Sequence, residues 1–243
     1  MLYQNYYEQV DIVLEKVQNT QHKAIETAAQ MIANSWKQDG MLYVFGCGHS
    51  HIIGEDLFYR AGGTASICAM LDSDLMLHGG AVKSSHYEKI TGLATPIFQR
   101  YQLTKRDVLI VVSTSGINSV PIEMAMCAKE RGIPVIAIVS MAYQEDASRH
   151  PSGKKLCEVA DIVIDNCVCH GDAAVQLPGT AIYAGPISTI SSCYIAQAMV
   201  IQADEELLQA GITPPIYVSG NIPGGMERNQ NLIDRYMPRI KHL

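Results

Sequence analysis

The first 38 residues carry apolar side chains at the spacing of one helix face. The i, i+3, i+4, i+7 pattern occurs twice, at Val10, Val13, Leu14, Val17 and then at Ile25, Ala28, Ala29, Ile32. Thr20 lies between the two sets and is a residue type that commonly caps a helix N-terminus. The pattern therefore predicts two helical segments within residues 2–38.

From Met41 onward the pattern changes to short apolar runs separated by longer stretches of helical composition. Strands are predicted at 41–45, 65–70, 108–112, 135–139 and 162–164, and helices near 50–60, 83–101, 119–131 and 186–210. The run Val108–Val112 has no polar alternation, so both of its faces should be covered. Such alternation is typical of βαβ units, and it predicts an α/β fold with a doubly wound parallel sheet.

No repeat, low-complexity linker or shift in composition divides the 243 residues, of which 48% are hydrophobic. We expect one domain over 1–243, with N-terminal helices at 1–38, an α/β core at 41–210 and a C-terminal tail at 211–243. The tail contains TPPIYVSGNIPGG, and this Pro/Gly-rich segment predicts a long surface loop that could lie over a site as a lid.

Charge and cysteine usage narrow the class of protein. A net charge of −6 gives the whole chain no attraction for nucleic acid or an anionic membrane. Seven cysteines, scattered through apolar stretches, are typical of reduced thiols rather than of a disulfide scaffold. The N-terminus has no basic segment followed by an apolar one, and no apolar run approaches the roughly 18 residues of a membrane span. We therefore expect a cytoplasmic protein without a nucleic-acid or membrane partner.

Two loops that follow predicted strands carry residues suited to a bound anion. In FGCGHSHIIGEDLFYR, Gly46 and Gly48 permit close approach of the backbone, and Ser50 can cap the next helix. The second loop, STSGINS, precedes a helix whose first turn contains Pro121. It brings together hydroxyls and a flexible backbone position at Ser113, Thr114, Ser115, Gly116 and Ser119.

Hydroxyls and amides at a helix N-terminus, without a lysine, predict a phosphate held by neutral hydrogen bonds and the helix dipole. The alternative is that the serines only cap the helix. The sequence does not match two other common phosphate-binding motifs. GCGHSHIIG has His51 where a dinucleotide fingerprint needs a third glycine, and PSGKK lacks the spacing of a P-loop. We expect no nucleotide cofactor.

Two further clusters invite a functional interpretation. CVCH, with Cys167, Cys169 and His170, does not have the usual spacing of a zinc site, so no metal is expected. The segment SRHPSGK and the lysine after it form either a solvated charge cluster or a cationic rim that steers anions. Its charged residues are Arg149, His150, Lys154 and Lys155.

The order of GCGHS and VVSTSGINS resembles the SIS (sugar isomerase) domain, which binds phosphosugars. DGMLYVFGCGHSH followed by VSTSGINS is similar to phosphoheptose isomerase. The longer pattern of GHSHIIGEDLFYRAGG, SRHPSGKKLCEVADIVIDN, GDAAV and NIPGG resembles an uncharacterised bacterial branch of the family, usually described as phosphosugar isomerases. The resemblance covers residues 3–230. It implies a three-layer αβα sandwich around a five-stranded, flavodoxin-like parallel sheet, and a homodimer or homotetramer with N-terminal helices between subunits.

Site residues follow from this resemblance. It implies that the sugar phosphate is held by Ser113, Thr114, Ser115 and Gly116, with Ser119 at the helix start. Gly48 and Ser50 fall on sugar-contacting positions. His78, in the irregular stretch LDSDLMLHGG, is a candidate for another wall of the cleft.

The family's catalytic residues do not carry over. In phosphoheptose isomerase a histidine and a glutamate on the helix after the first loop contribute to a metal site, and their positions hold Asp56 and Arg60 in this sequence. The catalytic glutamate of N-acetylmuramic acid 6-phosphate etherase, another SIS-domain enzyme, also falls on Arg60. Because both positions are replaced, neither enzyme's activity can be assigned to this sequence from these residues.

An isomerase still needs a base that removes a proton next to a carbonyl. The candidates are His49, His51, Glu55 and Glu88. Glu55 shares a helix face with His51 at i+4, so the two could act as base and orienter, or could form an ordinary solvated turn. Glu88 lies in the region that supplies the base of some phosphosugar isomerases. Asp172 is a further polar group at a strand end.

The expected function is a phosphosugar-binding protein that isomerises an aldose or ketose phosphate without a cofactor. Two alternatives remain open. One is a lyase or etherase of amino-sugar phosphates. The other is a non-catalytic phosphosugar sensor, which the replacement of both catalytic positions by Asp56 and Arg60 favours.

Overall fold

A five-stranded parallel sheet forms the centre of the computed structural model, which describes residues 1–243. Its strands are β1 (Leu42–Gly46), β2 (Ile67–Met70), β3 (Val108–Val112), β4 (Val135–Val139) and β5 (Ile162–Asp165). They are arranged in the order β2-β1-β3-β4-β5, and all neighbours are parallel. Each strand overlaps a predicted apolar run, so the sequence-based prediction of the sheet is confirmed.

The helices cover both faces of this sheet. They are α1 (Leu2–Lys37), α2 (His51–Leu57), α3 (Ala81–Tyr87), α4 (Ala94–Gln99), α5 (Ser119–Glu130), α6 (Leu156–Val159), α7 (Ser188–Gln209) and α8 (Gly225–Tyr236). A short antiparallel pair, β6 (Val175–Gln176) and β7 (Tyr183–Ala184), lies outside the main sheet. Val108, Ile110 and Val112 pack with α1, α2 and α7, whereas Leu109 and Val111 pack with α4 and α5. This alternation confirms the αβα sandwich and shows that β3 is buried on both faces.

One continuous helix occupies the N-terminus, so the predicted break at Thr20 is wrong. The Thr20 hydroxyl donates to the Lys16 carbonyl of the preceding turn at 2.7 Å, which satisfies it within the helix. Val17 and Ile32, from the two apolar sets, are both buried in the same cluster. The apolar face of the whole helix packs against α7.

The single helix predicted at 83–101 is also wrong, because residues 88–93 separate α3 from α4. Gly92 has φ +90° there, and its N–H donates to both carboxylate oxygens of Glu123 at 2.7 and 2.8 Å. The Glu88 carbonyl accepts a hydrogen bond from Val120 N–H at 3.0 Å. Contacts with α5 therefore replace the bonds of a continuous helix.

The C-terminal tail is not the predicted long loop, and it does not lie over the cleft described below. It contains α8, and Tyr217, Tyr236 and Ile240 are buried in the core. Backbone bonds join Ala65 N–H to Pro215 and Tyr217 N–H to Gly63, which ties the tail beside β2. Burial of aromatic side chains outweighs the local Pro/Gly signal.

All seven cysteines are free thiols. None of the helices combines the length and the apolar character needed to span a bilayer.

Candidate functional site

The two predicted anion-binding loops leave the sheet side by side. Strands β1 and β3 are neighbours, and Gly46 pairs with Val112 where both strands end. Ligands of open parallel sheets bind beyond this carboxyl edge. Between the loops lies a cleft of about 200 Å³. It is lined by Ser50 and by four residues of the hydroxyl loop (residues 113–118), which are Ser113, Thr114, Ser115 and Asn118.

Gly116 shapes the hydroxyl loop. Its φ of +64° lies in the left-handed region, and a Cβ atom there would meet Val139 Cγ1 at 3.3 Å. Its N–H donates to the Ser113 hydroxyl at 3.2 Å, and its carbonyl accepts from Leu156 N–H at 2.9 Å. The loop is thus held in one conformation by its own turn and by packing against β4 and α6.

This conformation leaves hydrogen-bond donors free. The backbone N–H groups of Thr114, Ser115, Ile117 and Asn118 donate to no acceptor within the chain. The side chains of Thr114 and Ser115 line the cleft and are partly exposed. Asn118 stands at the N-cap of α5, a helix of 12 residues whose positive end faces the loop. Such an array is suited to a dianionic group.

Ser119 occupies a different environment. It is completely buried, and its hydroxyl donates to the Arg149 carbonyl and accepts from Thr91, both at 3.4 Å. It does not line the cleft. Its side chain joins the start of α5 to neighbouring segments.

The first loop turns sharply at the end of β1. A Cβ on Gly46 would lie 2.4 Å from the Ser50 carbonyl oxygen, so only glycine fits. Gly48 has φ +55° and its N–H donates to the Leu75 carbonyl at 2.8 Å. The Ser50 side chain makes no capping bond to α2 and lines the cleft instead, whereas Gly48 does not line it.

The predicted pair of His51 and Glu55 is formed, with Nε2 and Oε2 3.6 Å apart, but it lies outside the cleft. His51 is 5% exposed, and its Nδ1 bonds to the Gly48 carbonyl, so the ring supports the first loop. His49 and His78 are exposed and do not line the cleft either. The cleft therefore brings together the hydroxyl loop and Ser50 without these three histidines or Glu55.

Glu88 is the predicted base candidate that lines the cleft. Burial raises the pKa of its carboxyl group above the ordinary value. The charge of Lys89, the side chain of Asn118 and the charge of Arg149 lower the pKa and so act against burial. The carboxylate thus lies close to the donors of the hydroxyl loop.

The second carboxylate of the cleft, Asp172, already accepts hydrogen bonds from the protein. Its Oδ1 accepts from the N–H groups of Ile187 and Ser188 at 3.0 and 2.9 Å, and the Ser188 hydroxyl bonds to Oδ2. Asp172 therefore caps the start of α7.

Cys47 of the first loop also lines the cleft. Burial raises the pKa of its thiol well above the usual range, so this cleft residue is a neutral thiol.

Besides Val112 at the end of β3, sequence reasoning missed three residues of the cleft, which are Cys47, Asn118 and Tyr143. Asn118 carried a local signal, since asparagine before a helix is a common cap. Tyr143 follows β4, and its position at the carboxyl edge of that strand was the available signal. Its hydroxyl oxygen accepts from Gly171 N–H at 2.8 Å, and its ring stacks on His170.

The cationic segment folds back on the protein. Arg149 Nη1 donates to Asn118 Oδ1 at 2.6 Å, and His150 Nε2 lies 3.4 Å from the Glu123 carboxylate. Lys155 Nζ bonds to the Gln144 carbonyl. Arg149 is thereby placed beside the cleft, while the side chains of His150 and Lys155 make their contacts elsewhere on the protein.

The resemblance to phosphoheptose isomerase implied a metal site at the positions of Asp56 and Arg60. These two side chains form an ion pair, and a guanidinium does not bind a cation. The residues present at these positions do not fit a metal. Elsewhere, no group of three or more His, Cys, Asp or Glu side chains has an arrangement that could hold one.

Comparison with known proteins agrees with this architecture. The SIS domain family matches residues 5–140. A UPF0309 protein of Thermoanaerobacter pseudethanolicus is 45% identical over 243 residues, covering 98% of each chain. Among solved structures, phosphoheptose isomerase from Neisseria gonorrhoeae has a TM-score of 0.54 at 18% identity, covering 82% of this chain and 95% of its own. Phosphoheptose isomerase from Francisella tularensis has a TM-score of 0.56 at 17% identity, covering 84% and 96%.

At these identities the two structures share the fold with this chain. The match to the SIS domain family and the 45% identity to the Thermoanaerobacter protein are similarities of sequence, and they show family membership as well as fold. The chain belongs to the SIS domain family and, within it, to the UPF0309 proteins.

Proposed function

We propose that this protein is a sugar-phosphate isomerase that acts on an aldose or ketose phosphate. One observation carries the proposal: a carboxylate with a raised pKa, Glu88, shares a small cleft with the free donors of the hydroxyl loop. The phosphoheptose isomerases that share the fold support this class of substrate.

In the proposed complex the phosphate is bound by the hydroxyl loop. The N–H groups of Thr114, Ser115 and Asn118 donate to its oxygens, together with the Thr114 and Ser115 hydroxyls. These neutral donors and the N-terminus of α5 compensate the negative charge of the phosphate. The sugar then extends toward Ser50 and Tyr143.

Glu88 is the proposed base. Isomerisation needs removal of a proton from the carbon next to the carbonyl and its return to the neighbouring carbon. The Glu88 carboxylate accepts the proton, and the resulting acid returns it. Since burial raises the pKa of Glu88, the carboxylate is a stronger base than an exposed glutamate. The Tyr143 oxygen already accepts from Gly171, so its O–H group is free to donate a hydrogen bond to a sugar oxygen while the sugar's hydroxyl proton passes to the former carbonyl oxygen.

We also propose the localisation and the assembly. The protein acts in the cytoplasm as one domain, and as a homodimer or homotetramer. Support for assembly comes from exposed apolar side chains on α1 and α7, among them Tyr7 and Ile201 at 61% and 68% exposure. Sedimentation velocity at micromolar concentration tests it, since a purely monomeric boundary contradicts the proposal.

One experiment separates isomerisation from the alternatives. A panel of ketose and aldose phosphates of six and seven carbons is incubated with the protein in D₂O and followed by NMR. Deuterium at the carbon next to the carbonyl, together with the isomeric sugar, supports the proposal. A new product without exchange indicates a lyase, and tight binding without turnover indicates a sensor, which the Asp56–Arg60 ion pair favours. Either outcome contradicts the isomerase.

A further inference from the structure

Asn118, which lines the cleft together with Glu88, is bonded to a side chain that lies outside the cleft. Arg149 Nη1 donates to Asn118 Oδ1 at 2.6 Å. A guanidinium only donates hydrogen bonds, so its partner on Asn118 must be the amide oxygen. This contact settles which way the amide group points, and it leaves the NH₂ group of Asn118 for other acceptors.

The Glu88 carboxyl group is an acceptor that lines the same cleft as Asn118. The Asn118 side chain lowers the pKa of this carboxyl group, against the effect of burial, and so stabilises the ionised form. An ionised carboxylate only accepts, and therefore matches the NH₂ donor. The order guanidinium, amide, carboxylate is thus consistent in its donors and acceptors at each step.

Backbone hydrogen bonds hold the segments that carry Arg149, Asn118 and Glu88 in fixed positions relative to one another. Arg149 N–H donates to the Ile117 carbonyl at 2.8 Å, and Val120 N–H donates to the Glu88 carbonyl at 3.0 Å. The Ser119 hydroxyl donates to the Arg149 carbonyl at 3.4 Å. The segments that carry Arg149 and Glu88 therefore stay attached to the start of α5 when the Arg149 side chain is changed.

We propose that Arg149 is a positioning residue for the cleft carboxylate: it holds Asn118 so that the amide donor faces Glu88. Arg149 lies outside the cleft and acts through Asn118. The inference rests on the proposed function only in that Glu88 is the base; the contact of Arg149 with Asn118 and the position of both Asn118 and Glu88 at the cleft are independent of the reaction.

Other charged and titratable groups also surround Glu88. Lys89 lies on the same segment and stabilises the carboxylate, and Cys47 of the first loop is a neighbour whose pKa Glu88 raises. Tyr143 and Asp172 line the same cleft. A change at Arg149 leaves these groups in place, so its effect on Glu88 can be separated from theirs.

The test is a titration of Glu88 in the ligand-free protein by NMR of ¹³C-labelled glutamate carboxyl groups, with Glu88→Gln used to assign the signal. Arg149→Met should raise the pKa of Glu88, because the charge of Arg149 is lost and Asn118 is no longer held in its orientation. Arg149→Lys keeps a charged donor and should give a smaller rise. An unchanged pKa in Arg149→Met overturns the proposal.

A second variant covers a failure of Arg149→Met to fold, which amide spectra would show. Asn118→Ala leaves Arg149 in place and removes the amide group that lowers the pKa of Glu88, so it should also raise this pKa; an unchanged value overturns the proposal. Failure of the isomerase proposal is distinguishable, since it appears as absent deuterium exchange in the unmodified protein and leaves the titration unaffected. Where exchange occurs, the acidic limb of its pH profile should move upward in Arg149→Met.

Discussion

Val120 donates its backbone N–H to the carbonyl oxygen of Glu88 at 3.0 Å. This bond joins the first turn of α5, which follows the hydroxyl loop, to the segment that carries the cleft carboxylate. The distance between the anion site and the carboxylate is thus held by the backbone. A substrate bound by its phosphate would meet Glu88 in a defined orientation, which is the main requirement for efficient proton transfer.

Ser115→Asp should abolish phosphate binding. The new carboxylate would stand among the donors of the hydroxyl loop and repel a dianion, and we expect affinity to fall by on the order of a hundredfold or more. Isothermal titration calorimetry with fructose 6-phosphate measures this affinity. Ser85→Asp, at an exposed position of α3, is the control and should bind like the unmodified protein. Equal affinities for both variants would contradict the site.

Glu88→Gln should leave phosphate affinity intact and reduce deuterium exchange by about 10² to 10⁴, the usual contribution of a general base. Glutamine keeps the size of the side chain but cannot accept the proton. Glu55→Gln is the matched control, because Glu55 lies outside the cleft beside His51. If exchange is lost in Glu55→Gln and retained in Glu88→Gln, the base is assigned to the wrong residue.

Gly116→Ala should destabilise the fold and weaken phosphate binding. At φ +64° an alanine costs about 1 to 2 kcal/mol, and its Cβ would press on Val139 at 3.3 Å. Gly153→Ala separates the two effects, since Gly153 has φ +73° and no neighbour within 4 Å of a new Cβ. Urea denaturation should show the larger loss for Gly116→Ala. A loss of the same size in both variants would mean that packing against Val139 adds nothing.

Asp204 should make stability depend on pH. Burial raises its pKa to about 6, and the hydrogen bond from Thr64 opposes this only in part. The folded state therefore binds a proton more tightly than the unfolded state, and the free energy of unfolding should fall as pH rises from about 4 to about 6, by at most about 3 kcal/mol.

Denaturation midpoints between pH 4 and 7 test this expectation. Asp204→Asn cannot titrate and should lose this part of the slope. Asp11→Asn, at an exposed position of α1, should keep the slope of the unmodified protein. An Asp204→Asn variant with an unchanged slope would show that the buried carboxyl group does not cause it.

Local patterns in the sequence determined the sheet and the two loops. The strands follow from uninterrupted apolar runs such as Val108–Val112, because such a run can only be buried. Gly46 and Gly116 stand at turns that other residues cannot adopt or fit. The hydroxyl loop was predictable for the same reason, since the strand, the turn and the helix start are contiguous in the chain.

The role of each polar side chain depended on contacts between residues far apart in sequence. His51 and Glu55 had the spacing of a functional pair, yet burial of His51 against the first loop places the pair outside the cleft. The separation of α3 from α4, the buried tail and the contact of Arg149 with Asn118 beside the cleft likewise arise from packing and from distant hydrogen bonds. Periodicity describes which side of an element is apolar; which polar group faces a cavity is a property of the assembled elements.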